Sequence, residues 1–382
     1  MSEWKEFKLA QFIEFGNGKE RPKTQGSIPV FGGNGVLGYC DRFNYDGQTI
    51  IIGRVGAYCG SVYYQETPIW VSDNALAAKP KNNYNAKFLY YFLKVLDLNS
   101  FAEGSSHPLV TQRLLNSLDV FITDNFHTQT SISELLSSLD DKIDLLHQQN
   151  KTLEQLAEIH FMERLERSRE KWKEQPLSSL IETTLGGEWG KEQPEGEFTI
   201  QVCCIRGTDI ADLQSGLAVR TPVRFVKPKK FANIQPQDGD LILEISGGTD
   251  DQSTGRTIYI NELNRELFPY PLVFSNFCRL LRPVKKEFSF FLYLYLQYLY
   301  KKDEFFNLEN GSSGIKNLDY KYLLYDLKFM LPTNNKDVVE FDLEVKSYFD
   351  KIDKNKHQIR TLTQLRDTLL PKLMSGEVRV KL

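Results

Sequence analysis

The sequence predicts an α+β protein in which two mixed α/β modules are separated by two long helices. Three observations carry that reading: an internal duplication, a heptad seam repeated in the same frame, and short β-type runs punctuated by Gly, Asn and Asp. Trp4-Lys5-Glu6 recurs as Trp172-Lys173-Glu174, and Phe88-Leu89-Tyr90 as Phe291-Leu292-Tyr293. Gly104-Ser105-Ser106 returns as Gly311-Ser312-Ser313, and Asp141-Lys142-Ile143-Asp144 as Asp350-Lys351-Ile352-Asp353. The spacing of matched residues grows from 168 at the tryptophans to 209 at the last motif, so the second copy has gained about forty residues.

In chain order, module one (1–127) has β-type runs at 48–52 and 61–64 and a helix near 87–96. A helical segment (128–171) follows, with a seam at Ile132, Leu136, Leu139, Ile143, Leu146, Asn150 and Leu153. The alternating steps of four and three mark a coiled coil rather than the broader stripe of a globular helix. Module two (172–334) has strands at 198–203, 240–245 and 256–260 and an aromatic helix at 288–300. The last segment (335–382) repeats the seam at Phe341, Val345, Tyr348, Ile352, Asn355, Ile359 and Leu362. Neither seam can bury itself alone. An antiparallel pairing of the two helices, each roughly 60 Å long, would relate the modules by a pseudo-two-fold axis. Asn150 and Asn355 occupy non-equivalent seam positions, where a buried Asn can fix register.

Composition narrows the function. With 41% hydrophobic and 25% charged residues, the 382-residue chain is neither disordered nor collagen-like. Its most apolar run, 288–300, is too short to span a bilayer. The start carries no apolar leader and the five cysteines form no C-x-x-C pair, so a cytoplasmic protein is expected. Net charge is -3, divided as 0, -3, -2 and +2 over the four segments. A protein that holds duplex DNA by its own field is usually basic, so a nucleic-acid role would need local patches or a partner. Arg220, Arg224, Lys227, Lys229 and Lys230 form the densest positive stretch, open to reading as a solvated face or as a phosphate contact.

Enzyme signatures fail on context. Gly33-x-Gly35-x-x-Gly38 matches a dinucleotide fingerprint but is followed by turn residues rather than a helix. Asp342-x-Glu344-x-Lys346 resembles a nuclease triad but lies inside the heptad helix. There is no phosphate-binding G-x-x-x-x-G-K-[ST] loop and no Asn/Asp-Pro-Pro-aromatic tetrapeptide, and the five histidines lack ligand spacing. No catalytic constellation and no metal site are expected. What recurs instead is Gly-rich polar loops with isolated basic residues: 16–23, 32–34 and 53–56 in module one, and 186–191, 206–209 and 246–256 in module two. Arg reads guanine and Asn or Gln reads adenine through paired hydrogen bonds, while Ser, Thr and backbone N–H groups suit phosphates. For any single loop an ordinary β-turn is the better account, and the binding reading gains weight only because such loops cluster in two modules built on one plan.

Module, long helix, module, long helix resembles the plan of type I restriction–modification specificity subunits. Gly53-Arg54-Val55-Gly56-Ala57 followed by Trp70-Val71-Ser72-Asp73-Asn74-Ala75 is similar to the core of that family's target-recognition domain. The two Gly-Ser-Ser motifs fit the approach to its last strand. Leu369-Leu370-Pro371-Lys372-Leu373-Met374-Ser375-Gly376-Glu377-Val378 resembles the family's C-terminal helix ending, with Gly376 as the stop. The resemblance implies a non-catalytic DNA reader with no cofactor of its own. Each domain would read one half of a bipartite double-stranded target, and the helices would set the unread spacer, at most about 17–18 base pairs for 60 Å. Two modification (methyltransferase) subunits would dock on it and methylate adenine, restriction subunits being an open further partner. S-adenosylmethionine, ATP and Mg would belong to those partners, which would also share the phosphate contacts that an acidic chain lacks.

Loop chemistry and family placement together nominate DNA contacts. In module one they are Lys19, Arg21, Lys23, Asn34, Arg54 and Ser106. In module two they are Trp189, Lys191, Arg206, Thr208, Thr249, Gln252, Arg256 and Ser313. The rival from another class is a scaffold that holds two protein-binding modules apart. It predicts no sequence-dependent retention on DNA.

Overall fold

Module one is built on alternating apolar runs closed by tight turns. Its strands are β1 (Trp4–Lys8), β2 (Ile13–Asn17), β3 (Ile28–Gly32), β4 (Gly35–Cys40), β5 (Thr49–Gly53), β6 (Val62–Gln65), β7 (Trp70–Val71), β8 (Ala75–Pro80) and β9 (Asp119–Thr123). They form a four-stranded antiparallel sheet, β2-β8-β5-β6, and a three-stranded sheet, β4-β3-β7, with β1 paired to β9. Helices α1 (Ala86–Val95) and α2 (Gln112–Ser117) lead to the long α3 (Phe126–Ser168). The run Ile50-Ile51-Ile52 shows why the layers stack as they do. Successive side chains on a strand point to opposite faces. Ile50 and Ile52 pack with Phe88 and Leu89 of α1, whereas Ile51 faces Phe31 and Val71 of the second sheet.

The computed structural model describes residues 4–81, 84–103, 108–168, 171–216, 221–249, 251–311 and 316–380. Module two repeats the plan with insertions. It runs through β10 (Lys173–Gln175), β11 (Ile181–Gly186), β12 (Ile200–Ile205), α4 (Ile210–Ser215), β13 (Val223–Val226), α5 (Pro228–Ile234), β14 (Leu241–Glu244), β15 (Ser246–Gly248) and β16 (Thr257–Tyr259). Then come α6 (Glu262–Arg265), β17 (Leu272–Phe274), β18 (Cys278–Pro283), α7 (Ser289–Lys301), β19 (Glu309–Asn310), β20 (Lys316–Leu318), β21 (Phe329–Leu331) and α8 (Asn335–Met374). The sheets are β11-β18-β14-β16, β13-β12-β17, β15-β20-β19 and the pair β10-β21. On β14, Leu241 and Leu243 enter one core and Ile242 the other, as on β5.

The duplication is visible hydrogen bond by hydrogen bond. Ser72 N donates to Phe31 O and Ser275 N to Ile205 O, each at 2.8 Å. Arg54 N donates to Asn74 O at 3.0 Å, and Ile245 N to Phe277 O at 2.9 Å. Val110 N donates to Arg54 O, and Leu318 N to Ile245 O. These bonds place Phe31 with Ile205, Arg54 with Ile245, Asn74 with Phe277 and Val110 with Leu318.

Contacts divide the chain into two compact units, residues 1–142 with 362–382, and residues 143–361. In each unit, parts of α3 and α8 pair antiparallel. In the second, Asn355 Nδ2 donates to Asn150 Oδ1 at 2.8 Å, Tyr348 meets His160, and Arg164 pairs with Glu344. The asparagines that look non-equivalent along the two seams thus face one another. In the first unit Arg366 pairs with Asp140, which also accepts from the Tyr91 hydroxyl. The expectation of a narrow seam is corrected on α8. Phe349, Asp342, Asp353 and Lys356 are buried beside the seam residues, because that helix also packs on module two through Tyr259 and Phe290.

The chain's end completes module one. Leu373 and Met374 are fully buried in the core that holds Trp4, Phe88 and Ile122. Gly376 ends α8 at φ +75°, and a Cβ there would run into the Trp4 ring.

Candidate nucleic-acid interface

In module one, loops at the ends of three strands converge. Lys19 N donates to Val71 O at 3.0 Å, which ties the loop after β2 to β7. The β3–β4 turn lies against the loop after β5, since Ser61 Oγ donates to Gly33 O. Arg54 is tied by its own N–H to Asn74 O and by its carbonyl to Val110 N. Lys19 and Asn34 are exposed on this cluster, and Arg54 is half-buried with its Nε unbonded among the described residues. Arg21 and Lys23 are also exposed and line a shallow cavity of about 230 Å³ with Arg42 and Trp70. Arg21 packs on the bare backbone of Gly38. Among the nominated residues here, only Ser106 lies outside the described residues.

Module two gathers Trp189, Arg206 and Thr208 around one cleft of about 520 Å³. Trp189 is pinned by Arg224, whose guanidinium carbon stands 4.1 Å from the ring centre and which also pairs with Glu192 at 2.8 Å. Arg206 is held by Asp209, through Nε at 3.1–3.2 Å and Nη2 at 2.7 Å. That bonding keeps its guanidinium charged by raising its pKa further. Gly207 must be glycine because Glu244 occupies the space of a Cβ.

Other nominated residues do not join the cleft. Thr249 and Gln252 are exposed on the β15–β16 turn, which their backbones close at 2.8 Å. Lys191 is exposed, ion-paired with Glu195 at 3.5 Å and lying over Phe198. Ser313 lies outside the described residues. Arg256 requires a correction. Its Nε and Nη2 donate to Glu244 at 2.8 and 2.5 Å, and the pair is buried, with 14% and 1% of the side chains exposed. Burial keeps the rest of this guanidinium from a base edge, whereas Arg206, paired with Asp209 through the same atoms, is more exposed. Arg256 therefore holds in place the Glu244 carboxylate that lines the cleft.

Two residues of the basic stretch are paired with carboxylates of the same module. Arg224 is committed as above and Lys227 pairs with Glu197 at 2.7 Å, while Arg220 lies outside the described residues. Sequence reasoning missed Asn276 and Phe277, both exposed at the cleft. A signal for them existed. The Ser72-Asp73-Asn74 motif of module one aligns with Ser275-Asn276-Phe277 once the repeat is placed in register. Asp342, the head of the nuclease-like triad, accepts from the N–H groups of Phe290 and Phe291 at the start of α7. Among the described residues no group of His, Cys, Asp or Glu is arranged to hold a metal. No helix of the described residues is long and apolar enough to cross a membrane.

The profile of the type I restriction modification DNA specificity domain matches residues 1–155 and 204–364, and so takes in both modules. The chain belongs to that family. Among individual members, it is 28% identical over 140 residues to the EcoprrI specificity subunit of Escherichia coli, a stretch covering 37% of this chain and 35% of that one. With the MjaIX specificity subunit of Methanocaldococcus jannaschii it shares 22% identity over 351 residues, covering 84% and 76%. The crystal structure of an S subunit from M. genitalium superposes with a TM-score of 0.63 at 19% identity, covering 97% of this chain and 96% of that one. That likeness establishes the shared fold of the specificity-domain family: two recognition modules and two long helices.

Proposed function

We propose that the chain is the non-catalytic reader of a type I restriction–modification complex, each module recognising one half of a bipartite DNA target. The carrying observation is that two modules built on one backbone frame present polar side chains on equivalent loops. Lys19, Arg21, Lys23, Asn34 and Arg54 supply the contacts in module one. Trp189, Arg206, Thr208 and Asn276 supply them in module two, with Lys191, Thr249 and Gln252 on the surrounding loops and Ser106 and Ser313 on the Gly-Ser-Ser segments. The long helices set the unread spacer.

Two modification subunits dock on the outer faces of those helices, bringing S-adenosylmethionine and adenine methylation. Restriction subunits, where present, bring ATP and Mg. A supporting feature is the outward face of α3, where Ile159 and Met162 are exposed beside Glu163 and Glu166 in a groove of about 460 Å³. Apolar area framed by charge is the usual make-up of a partner surface. Such partners would also supply the phosphate contacts that a chain of net charge -3 lacks.

The test is to map methylated adenine across the host genome with the gene intact and deleted. A split motif that vanishes on deletion is expected and reveals both half-sites. Unchanged methylation, together with failure to co-purify a methyltransferase, would favour the protein-binding scaffold instead.

A further inference from the structure

Stacked bases in a duplex offer a protein only their edges, so a flat-walled cavity has nothing to receive from intact DNA. Module two nonetheless has one. Its cleft of about 520 Å³ falls within the range of about 300–1,000 Å³ typical of small-molecule sites. Trp189 and the half-exposed Phe277 form the aromatic part of the wall. Arg224 covers one face of the Trp189 indole and fixes its plane. Glu244, held by its pair with Arg256, lines the floor, reached because Gly207 and Gly247 carry no side chain to fill the space.

Three polar groups in the lining are uncommitted. Arg206 Nη1, the Thr208 hydroxyl and the Asn276 amide make no hydrogen bond among the described residues, although the rest of the Arg206 fork is locked on Asp209. Aromatic walls with a few orienting donors and acceptors are what a single unstacked base requires. Its faces stack and its pairing edge is read by hydrogen bonds. Module one has none of this at the same positions. There the aligned residues are Glu20, Gly32, Asn34, Asp73 and Asn74, with no aromatic ring among them.

We propose that the module-two cleft receives one nucleobase drawn out of the half-site it reads, distinct from the adenine that a modification subunit would methylate. The inference rests on the DNA-reading function above. The base enters beside Trp189 and Phe277, and Arg206, Thr208 and Asn276 take its pairing edge. Module one, lacking the cleft, reads stacked base edges only.

The experiment uses the chain assembled with its modification subunits, without methyl donor, on duplexes carrying both half-sites. Each base pair of the module-two half is replaced in turn by a mismatch that keeps the read strand. Extrusion costs unpairing, and a mismatch removes part of that cost. Binding is therefore expected to tighten about tenfold at one position, a gain of about 1.4 kcal/mol. Trp189→Ala and Phe277→Ala should each abolish that gain and leave discrimination at the module-one half intact. Phe277 is exposed, so its variant should fold normally, which an unchanged melting temperature would verify. Tightening at the methylated adenine belongs to the modification subunit and should survive both variants. The proposal is overturned if no other mismatch strengthens binding, or if the gain persists in both variants; module two would then read edges alone. Absence of any sequence-dependent binding by the wild-type complex would overturn the DNA-reading function itself.

Discussion

Modules one and two use the same backbone hydrogen bonds to hold different chemistry at the same places. Gly53 in module one aligns with Glu244 in module two, and Ser61 with Arg256, because Gly53 N donates to Ser61 O where Glu244 N donates to Arg256 O. One module closes this corner with a hydroxyl on a carbonyl, the other with a buried ion pair. Their aromatic helices differ in the same way. Asn85 caps α1 through the Phe88 N–H at 2.9 Å, whereas the equivalent Phe291 N–H is capped by Asp342 from α8. Bonds between main-chain groups do not depend on side-chain identity. A frame built on them can change its loops, and therefore its reading, without changing its fold.

The largest break in the comparison should come at the ion pair. Glu244→Ala leaves the Arg256 charge without its partner and should cost about 3–5 kcal/mol by urea denaturation. The double change Glu244→Gly with Arg256→Ser, which imports the module-one solution, should recover much of that loss. If single and double variants unfold alike, the pair is not the unit that matters.

A second contrast is pH dependence. Burial pushes the Asp342 carboxyl up to about 7, against the pull of two backbone N–H groups. Between about pH 4 and 7 the folded chain then holds a proton that the unfolded chain has released. Stability of the second unit should fall as pH rises through that window and level off above it. At roughly 1.4 kcal/mol per unit the total is at most roughly 4 kcal/mol. Asp342→Asn keeps an acceptor for α7 and should flatten the profile in hydrogen exchange, whereas α1, capped by a neutral Asn, should show no such slope.

Smaller effects should separate the two readers. Arg54→Ala should remove about 1–3 kcal/mol of discrimination at the module-one half-site and none at the other, measured on duplexes with one half altered at a time. Ser61→Ala should cost about 1 kcal/mol of stability, well below the Glu244 variant. A cost equal to that of the ion pair would mean the two corners are not alternative solutions to one problem.

Much of this organisation was legible in the sequence because it is periodic or repeated. The long helices announce themselves through seams at Ile132 to Leu153 and Phe341 to Leu362, and β5 through its isoleucines. The pairs β1–β9 and β10–β21 were not legible. WKEFK carries no apolar alternation, and its partner lies more than a hundred residues away. The site was read less well for a related reason. Residue type nominates Arg256 and Arg206 equally, but a carboxylate twelve residues back in the chain buries one and leaves the other at the cleft. Asn276 and Phe277 lie in a turn whose only sequence mark is its alignment with Ser72-Asp73-Asn74.

The packing of Gly376 against Trp4 sets the order in which this protein can be made. Unit one is not complete until residues 362–382 supply Leu373, Met374 and the turn at Gly376. About 220 residues separate the end of its first segment from the start of its last. At about 5–20 residues per second on the ribosome, the first module waits roughly ten to forty seconds for its closing helix. The second unit, contiguous in the chain and closed by α8 residues up to Ile352, has all its residues only as that interval ends, just before residues 362–382 are made. Synthesis therefore finishes the modules in the reverse of their written order, and a chain stopped just after residue 361 has every residue of its second unit and lacks the closing segment of its first.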